Sequence, residues 1–243
     1  MIGTQNLERP ATRIAELDWK AIAASLDERG YAIVPDLLAE FECRELIAGY
    51  DDAQAFRKTI NMARYRFGSG EYKYWAYPLP DLVQELRRAL YPNLAPIVNE
   101  WFRKLGIAPD LPTDFEGMQA RCHDRGQTFP TPLMLKYGAG GYNTLHQDLY
   151  GEVYFPVQAV INLNQPGVDF DGGEFVVTEQ LPRAQSRATV LTPNRGDMII
   201  FTTNFRPVAG KRGYYRSRMK HGVSEVKSGH RHTLGIIFHD AET

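Results

Sequence analysis

The sequence contains few cysteines, and this limits the folds and metal sites that it can form. Cys43 and Cys122 are its only two cysteines among 243 residues, and neither belongs to a CxxC or CxxxC pair. A disulfide-stapled scaffold or a thiolate zinc site is not expected, because each needs several suitably spaced thiols. We expect both thiols to be buried or incidental.

Long apolar runs and an excess of one charge are also missing. No stretch approaches the roughly 20 apolar residues that span a bilayer, and the segment Met1–Pro10 lacks a charged-then-apolar leader. The formal net charge is −1, so attraction of the whole molecule to nucleic acid or membrane is not implied. We therefore expect a cytoplasmic protein without a membrane partner; its oligomeric state is left open.

The chain does have two differently patterned parts. Before residue 131, apolar residues recur at helical spacing, and the longest such pattern begins at Asp81 and contains Pro92 and Pro96, which should divide or bend the helix. After it, short apolar runs alternate with Gly, Pro, Asn and Asp, as in a β-sandwich or barrel. We predict an α+β fold in one integrated domain. A helical N-terminal layer and substrate lid (1–130) packs on a catalytic double-stranded β-helix, or jelly roll (131–243).

Two histidines and one aspartate form the strongest candidate for a metal site. In extended backbone, residues two apart face the same side, so His146 and Asp148 can converge on one ion. A third ligand would come from His221, which opens another predicted strand. Two histidines and one carboxylate on one face of an octahedron are typical of non-haem Fe(II) oxygenases. A lone His-x-Asp pair has a simpler alternative, a hydrogen-bonded histidine beside a surface aspartate.

An arginine is spaced so that it can serve the same site. Arg231 follows His221 by ten residues, across a predicted hairpin turn at 227–229. Because ten is even, the two side chains share a face if the strands carry no bulge. Their offset would be roughly 13 Å, which an extended arginine and an iron-chelating five-carbon diacid would span. Arginine binds carboxylates bidentately, and Thr233 faces the same way. The alternative for Arg231 is a surface salt bridge.

Over residues 132–240 the sequence resembles the Fe(II)/2-oxoglutarate-dependent oxygenase superfamily. The matching segments are His146-Gln-Asp148, Asp171-Gly-Gly-Glu-Phe175, Gly196-Asp-Met-Ile-Ile-Phe201, His221-Gly-Val223 and Gly229-His-Arg231-His-Thr233-Leu234. The sequence is also similar to a group of prokaryotic oxygenases assigned to nucleic-acid repair. That similarity extends to Gly30–Pro35 and Phe67–Tyr74.

This resemblance implies a particular chemistry and a particular set of site residues. It implies Fe(II) bound by His146, Asp148 and His221, which are then the catalytic residues. It implies 2-oxoglutarate bound by Arg231 with the help of Thr233, and O2 as the oxidant. The enzyme would be a dioxygenase that hydroxylates or oxidatively demethylates its substrate and releases succinate and CO2.

More distant similarities are to the AlkB dealkylases and to prolyl hydroxylases. As in AlkB, a tyrosine stands nine residues before His-Gln-Asp, which implies a co-substrate role for Tyr137. An AlkB asparagine two residues before that tyrosine is Leu135 here, and a second AlkB arginine is Ile237 here. The spacing from His221 to Arg231 is nearer to that of prolyl hydroxylases.

The substrate is left between two main readings, the first of which is single-stranded or damaged nucleic acid. An acid-free basic segment, 206–220, lies between a predicted strand and His221, so we expect a loop at the mouth of the site. Basic groups follow phosphates and aromatic rings stack on bases. The candidate substrate residues are Arg212, Tyr214, Arg216 and Arg218, with Tyr74 from the aromatic segment 57–77. The alternatives are a solvated charged face and core aromatics.

The second reading is a small-molecule or amino-acid hydroxylase of the same chemistry. The net charge near zero and the missing AlkB residues favour it. A third reading is a non-catalytic module that binds metal and 2-oxoglutarate, against which the complete ligand set with Arg231 argues. Polar residues on one predicted strand either line the pocket or face solvent; they are Gln158, Asn162 and Asn164.

Overall fold

The structure of the chain is a computed structural model that describes residues 8–149 and 151–243. The predicted N-terminal layer begins at residue 1, so its first seven residues lie outside the described part. Within the described part, five α-helices form: α1 (Pro10–Ala15), α2 (Trp19–Arg29), α3 (Glu40–Ala48), α4 (Asp81–Lys104) and α5 (Phe115–His123). Among these residues, no helix combines the length and the apolar character needed to cross a membrane.

Fifteen strands form over the same residues. Those before residue 131 are β1 (Tyr31–Val34), β2 (Phe56–Asn61), β3 (Gly68–Ser69) and β4 (Glu71–Trp75). Those after it are β5 (Leu133–Tyr137), β6 (Tyr142–His146), β7 (Val157–Asn162), β8 (Phe170–Gly172), β9 (Phe175–Gln180), β10 (Arg187–Leu191), β11 (Met198–Thr202), β12 (Phe205–Gly210), β13 (Gly213–Val223), β14 (Val226–Gly229) and β15 (Arg231–Ile236).

Local sequence sets the ends of α2. The Asp18 side chain accepts a hydrogen bond from the Ala21 N–H at 2.9 Å, which satisfies a free donor of the first turn. At the other end Gly30 has φ +77°, a left-handed conformation that glycine adopts without a steric cost. The Gly30 N–H bonds to the Leu26 carbonyl at 2.9 Å. The structure confirms this helix over its predicted length.

The longest helix is not divided at its prolines. α4 runs unbroken for 24 residues and contains both Pro92 and Pro96. An interior proline costs a helix about 3 kcal/mol, whereas each large apolar side chain that is buried contributes roughly 1.5–3 kcal/mol. One face of α4 is fully buried, including Leu90, Leu94 and Trp101. Packing of this face therefore outweighs the local preference of proline to end the helix.

Two antiparallel sheets face each other and contain 13 of the 15 described strands. The larger sheet has the order β1-β11-β7-β15-β5-β4-β2, and the smaller has β10-β9-β13-β6-β3, with β12 also paired to β13. From β5 onward the chain passes back and forth between the two sheets, as in a jelly roll. The predicted double-stranded β-helix with a helical N-terminal layer is confirmed.

The two faces of the larger sheet pack against different partners. Helices pack on its outer face, where Leu90 and Trp101 of α4 share one apolar cluster with Ile161 and Ile236. The inner face meets the smaller sheet. The cluster between the sheets consists of Tyr31, Val160, Phe175, Val177, Leu191, Ile199, Phe201 and Met219. This apolar cluster adjoins a cavity between the sheets, because Val160, Phe175 and Phe201 also line the cavity that contains His146.

Two predicted connections differ from the structure. The segment 227–229 does not make a hairpin between His221 and Arg231, because β14 pairs with β8 in a separate two-stranded sheet. As a result, His221 lies on the smaller sheet and Arg231 on the larger one. The segment 206–220, expected to be a loop, forms the hairpin β12–β13.

Candidate metal and co-substrate site

Neighbouring strands of the smaller sheet bring the three predicted metal ligands together. His146 at the end of β6 pairs directly with His221 on β13, and their ring centroids are 4.2 Å apart. Asp148 follows β6 and lies between the two imidazoles. Its Oδ1 is 3.5 Å from His146 Nε2, and its Oδ2 is 3.3 Å from His221 Nε2. One donor atom from each residue lies within 4.8 Å of the others, a spacing at which one ion can bind all three.

The surroundings of His146 orient its ring, and those of His221 favour its neutral form. His146 Nδ1 lies 2.7 Å from the Thr144 carbonyl, which favours a proton on Nδ1 and leaves Nε2 free for a metal. His221 is buried between Phe175 and Phe201. Burial, and secondarily the nearby His146, lowers the pKa of His221. A neutral imidazole is the form that binds metals.

The residue between the first two ligands has a structural contact of its own. Gln147 points away from the cluster, and its Nε2 donates to the carbonyls of Met219 at 2.8 Å and Asn204 at 2.9 Å. These bonds tie the end of β6 to β13. The alternation of the strand thus places His146 and Asp148 at the site and Gln147 in the framework.

Arg231 is a buried cation that forms no ion pair with any described residue, although the charge of Glu174 acts on it from beyond ion-pair distance. It is 2% exposed, and among the described residues no carboxylate lies within ion-pair distance of its guanidinium. Burial lowers its pKa from 12.5 to about 10. The Tyr137 ring lies 5.7 Å away, and burial raises the pKa of that phenol to about 12, so it keeps its proton. A buried charge is costly unless it is paired. The arrangement therefore suits a ligand that brings its own carboxylate.

One cavity of about 260 Å³ connects these groups. It lies between the sheets, and its lining includes the three metal-ligand candidates, all three predicted co-substrate residues (Tyr137, Arg231 and Thr233) and Tyr74. Most of the remaining wall is apolar. Such a space holds a five-carbon diacid and one reacting group, while a polymer must remain outside.

Of the polar residues predicted on one strand, Gln158 faces the cavity. It is 4% exposed, and its Nε2 has no hydrogen-bond partner among residues 8–149 and 151–243. Asn162 instead donates to the Pro193 and Asn164 carbonyls and so serves the framework. The Asn164 side chain accepts a hydrogen bond from the His232 N–H at 2.7 Å. The pocket alternative therefore holds for Gln158, whereas Asn162 is buried in the framework and Asn164 is half-buried, so this stripe is not a solvated face.

The basic residues predicted to meet substrate are not on the cavity wall. In β13 the buried positions are Ser217, Met219 and His221, so alternate residues face the opposite side of the sheet. The side chains that this alternation exposes are those of Tyr214, Arg216 and Arg218, and Arg212 is exposed in the turn before the strand. The segment thus points its charges away from the metal-ligand cluster rather than over its mouth.

Sequence reasoning missed the role of the segment just before β3. Phe67 lines the cavity, and its carbonyl accepts hydrogen bonds from both the N–H and the Oγ1 of Thr144, each at 2.8 Å. Gly68 makes this approach possible, because a Cβ there would lie 2.2 Å from the Tyr142 carbonyl oxygen. The available signal was the family resemblance over Phe67–Tyr74, which begins with this glycine-rich stretch.

Comparison with known proteins identifies the family. The model of the Oxygenase-NA family, described as "Oxygenase, catalysing oxidative methylation of damaged DNA", matches residues 70–241. The match covers more than half of the chain, so the chain belongs to this oxygenase family. The uncharacterized protein Rv2227 of Mycobacterium tuberculosis is 49% identical over 164 residues, which are 68% of this chain and 70% of that protein.

Solved structures share the fold at low sequence identity. A Pseudomonas putida prolyl-4-hydroxylase matches 92% of this chain and 100% of its own, with a TM-score of 0.52 and 14% identity. An oxidoreductase of the 2OG-Fe(II) oxygenase family from Burkholderia pseudomallei matches 93% of each chain, with a TM-score of 0.50 and 18% identity. At these identities the similarity establishes the fold alone.

The predicted enzyme class and cofactors are confirmed. The chain is an oxygenase, and its His-Asp-His cluster fits Fe(II), 2-oxoglutarate and O2. The donor set is the one that non-haem Fe(II) enzymes use, and Arg231, which forms no ion pair within the described part of the chain, suits a dicarboxylate. Membership in an oxygenase family excludes the non-catalytic reading.

Proposed function

We propose that this enzyme oxidises alkyl groups on nucleobases of damaged or single-stranded nucleic acid, by hydroxylation or oxidative demethylation, with release of succinate and CO2. In this proposal, His146, Asp148 and His221 hold Fe(II), and Arg231, Thr233 and Tyr137 bind 2-oxoglutarate. The observation that supports this chemistry is a buried guanidinium that lines the same cavity as a His-Asp-His cluster and has no ion-pair partner among the described residues. The family description supports the substrate class.

Each group in the cavity would have a defined task. When bound, Fe(II), 2-oxoglutarate and O2 would supply the oxidising power, with one oxygen atom entering succinate and the other the oxidised C–H bond. Thr144 holds the His146 ring in orientation through its carbonyl. The guanidinium of Arg231 would take the distal carboxylate, and Thr233 and the protonated Tyr137 would donate hydrogen bonds to it. Phe175 and Phe201 exclude water beside His221.

The organisation of the chain belongs to the same proposal. The part before residue 131 would act as a helical layer and substrate lid, and 131–243 as the catalytic core of one integrated domain. Phe67 and Tyr74 support the lid role, because both line the cavity. The enzyme would work in the cytoplasm, where nucleic acid and 2-oxoglutarate are both present.

A succinate-release panel tests the proposal. Single-stranded oligonucleotides with one N-alkylated base, their unalkylated twins and free amino acids are each added to the Fe(II)-loaded enzyme with 2-oxoglutarate. The alkylated oligonucleotides should stimulate succinate release above the other additions and should lose the alkyl group or gain oxygen. His221→Ala should abolish turnover, and His230→Ala, an exposed histidine outside the cavity, should not. Full turnover by His221→Ala would disprove the metal assignment.

A second candidate function is hydroxylation of a small molecule or an amino acid. The position of the basic residues favours it, since Arg212, Arg216 and Arg218 lie outside a cavity of about 260 Å³. The same panel separates the two candidates. Stimulation by free amino acids, together with no oligonucleotide binding at low salt, would replace the first proposal by the second.

A further inference from the structure

An exposed aromatic pair stands at the edge of the cavity. Tyr65 and Phe67 are 55% and 46% exposed, and their rings are stacked, with centroids 5.5 Å apart and planes 17° from parallel. Phe67 also belongs to the cavity wall that carries His146 and Arg231. The pair therefore extends from the site into solvent.

The backbone holds this pair close to a proposed metal ligand. The Phe67 N–H bonds to the carbonyl of Met62, a fully buried residue, at 3.1 Å. Its carbonyl accepts the two bonds from Thr144 described above, and Thr144 lies two residues before His146 on β6. Loops that are ordered before binding lose less entropy when a ligand arrives. The rings are thus presented at a set distance from the reacting centre.

The charged residues next to the pair in the sequence are of one sign. No acidic residue occurs between Asp52 and Glu71. Arg64 and Arg66 flank Tyr65, both are exposed, and neither forms an ion pair within the described part of the chain. Exposed arginines beside stacked aromatic rings match the alternation of phosphate and base in a single strand.

The size of the cavity determines what must lie outside it. With the co-substrate bound, about 260 Å³ leaves room for one target group. Enzymes that act on a base take that base out of the stack. The base next to the target in the strand then loses a stacking partner. It would lie at the mouth of the cavity, where the exposed rings of Tyr65 and Phe67 are.

We propose that Tyr65 and Phe67 form a stacking platform for the nucleobase next to the target in single-stranded DNA, with Arg64 and Arg66 contacting the adjacent phosphates. This inference rests on the proposed nucleic-acid function and names the surface that would recognise the strand. The hairpin β12–β13 has no part in it.

A double-mutant cycle on the loaded enzyme tests the platform. Binding is measured by fluorescence anisotropy with Mn(II) and 2-oxoglutarate present, on a labelled single strand that carries one N-alkylated base. A matched pair of strands has an abasic site on the 5′ or the 3′ side of that base. Phe67→Ala should weaken binding of the intact strand about tenfold or more. An abasic neighbour should weaken binding by the wild type to the same extent. On that abasic strand, Phe67→Ala should reduce the affinity hardly any further.

Further variants exclude a simple folding effect. Phe67→Tyr should keep the affinity, and Tyr65→Ala should lower it. Phe41→Ala, which removes a ring on α3 that is 52% exposed, should bind as the wild type does. Replacing Arg64 and Arg66 by glutamine should reduce the salt dependence of binding, by roughly 0.7 in the log–log slope for each lost phosphate contact.

The outcomes separate the platform from the proposed function. If the wild type binds and oxidises the alkylated strand while Phe67→Ala and Tyr65→Ala bind it equally well, the platform is disproved and the function stands. If the wild type binds no strand, both fail. Coupling between the ring of Phe67 and one neighbouring base supports both.

Discussion

Replacing Arg231 by methionine should stabilise the enzyme without co-substrate and remove its response to 2-oxoglutarate. The guanidinium is buried without a carboxylate partner among the described residues, and its pKa falls from 12.5 to about 10. For a cation, a folded-state pKa below the unfolded one means that the charge destabilises the fold at every pH below about 10. At 1.36 kcal/mol per pH unit, the penalty at neutral pH is about 3 kcal/mol.

Methionine keeps an unbranched apolar stem and removes the charge. Buried charges replaced by apolar residues of similar volume often leave proteins equally stable or more stable. We expect Arg231→Met to gain about 1–3 kcal/mol without co-substrate, which raises Tm by roughly 2–10 °C in a protein of this size. Loss of the contact with Tyr137 reduces the gain.

The same substitution should weaken the binding of 2-oxoglutarate. Each hydrogen bond to a charged group contributes about 1.5–3 kcal/mol, so loss of a bidentate pair should weaken binding by at least about 100-fold. In the wild type, 2-oxoglutarate at 100 times its Kd should stabilise the fold by about 2.7 kcal/mol. The variant should show almost no shift at that concentration.

Thermal unfolding with Mn(II) as a redox-inert ion, with and without 2-oxoglutarate, measures both effects. Arg44→Met, at an exposed arginine on α3, is the matched control and should change stability by no more than about 0.5 kcal/mol. The reasoning is refuted if Arg231→Met is less stable than the wild type without co-substrate, or if 2-oxoglutarate raises its Tm as much as it raises that of the wild type.

Three further predictions concern the metal, pH and the buried network behind the sheet. His221→Ala should lose Mn(II) binding by calorimetry, since two ligands remain; unchanged affinity would contradict the assignment. Burial lowers the pKa of His239 to about 4, so the wild type should lose stability as pH falls from about 6.5 towards 4, because the unfolded chain gains a proton there first. Urea unfolding of His239→Gln should show a shallower pH dependence over this range, and an equal slope would disprove it. Arg87 and Asp240 form a fully buried ion pair, so Arg87→Ala should lower the free energy of unfolding by about 3–5 kcal/mol. The control Arg88→Ala, at the exposed neighbouring arginine, should lower it by less than about 1 kcal/mol.

Features that depend on nearby residues were predictable from the sequence. The convergence of His146 and Asp148 follows from the two-residue period of extended chain. The limits of α2 follow from Asp18 and Gly30, whose roles at helix ends are local. Burial of both cysteines, expected from their number and spacing, is found as well.

Features that depend on distant pairing were not predictable in this way. The even spacing between His221 and Arg231 correctly predicted that both residues serve one cavity. The hairpin on which that prediction depended does not form. The segment that appeared suited to a hairpin pairs instead with β8, more than 50 residues earlier. A turn pattern carries no information about such a partner. Similarly, Pro92 predicts a helix break locally, and only the buried face of α4 explains why none occurs.

The charged segment before His221 shows the same limit. Its composition is visible in the sequence, but the face that each charge occupies depends on which side of β13 is covered by the opposing sheet. Odd-numbered residues there are buried with Met219, so Arg216 and Arg218 are directed outwards. Conversely, the sequence left the aromatic residues of segment 57–77 between base stacking and core packing, and the structure shows that Tyr65 and Phe67 are half exposed.

By itself, the sequence was enough to predict the chemistry of this protein, because the candidate ligands, their spacing and the candidate anchoring arginine lie in short segments. The tertiary structure alone decided where the substrate can meet that chemistry. The cavity has a wall and a mouth only after the two sheets pack together. The pairing and packing of distant strands then determine whether a given side chain enters the cavity or faces water.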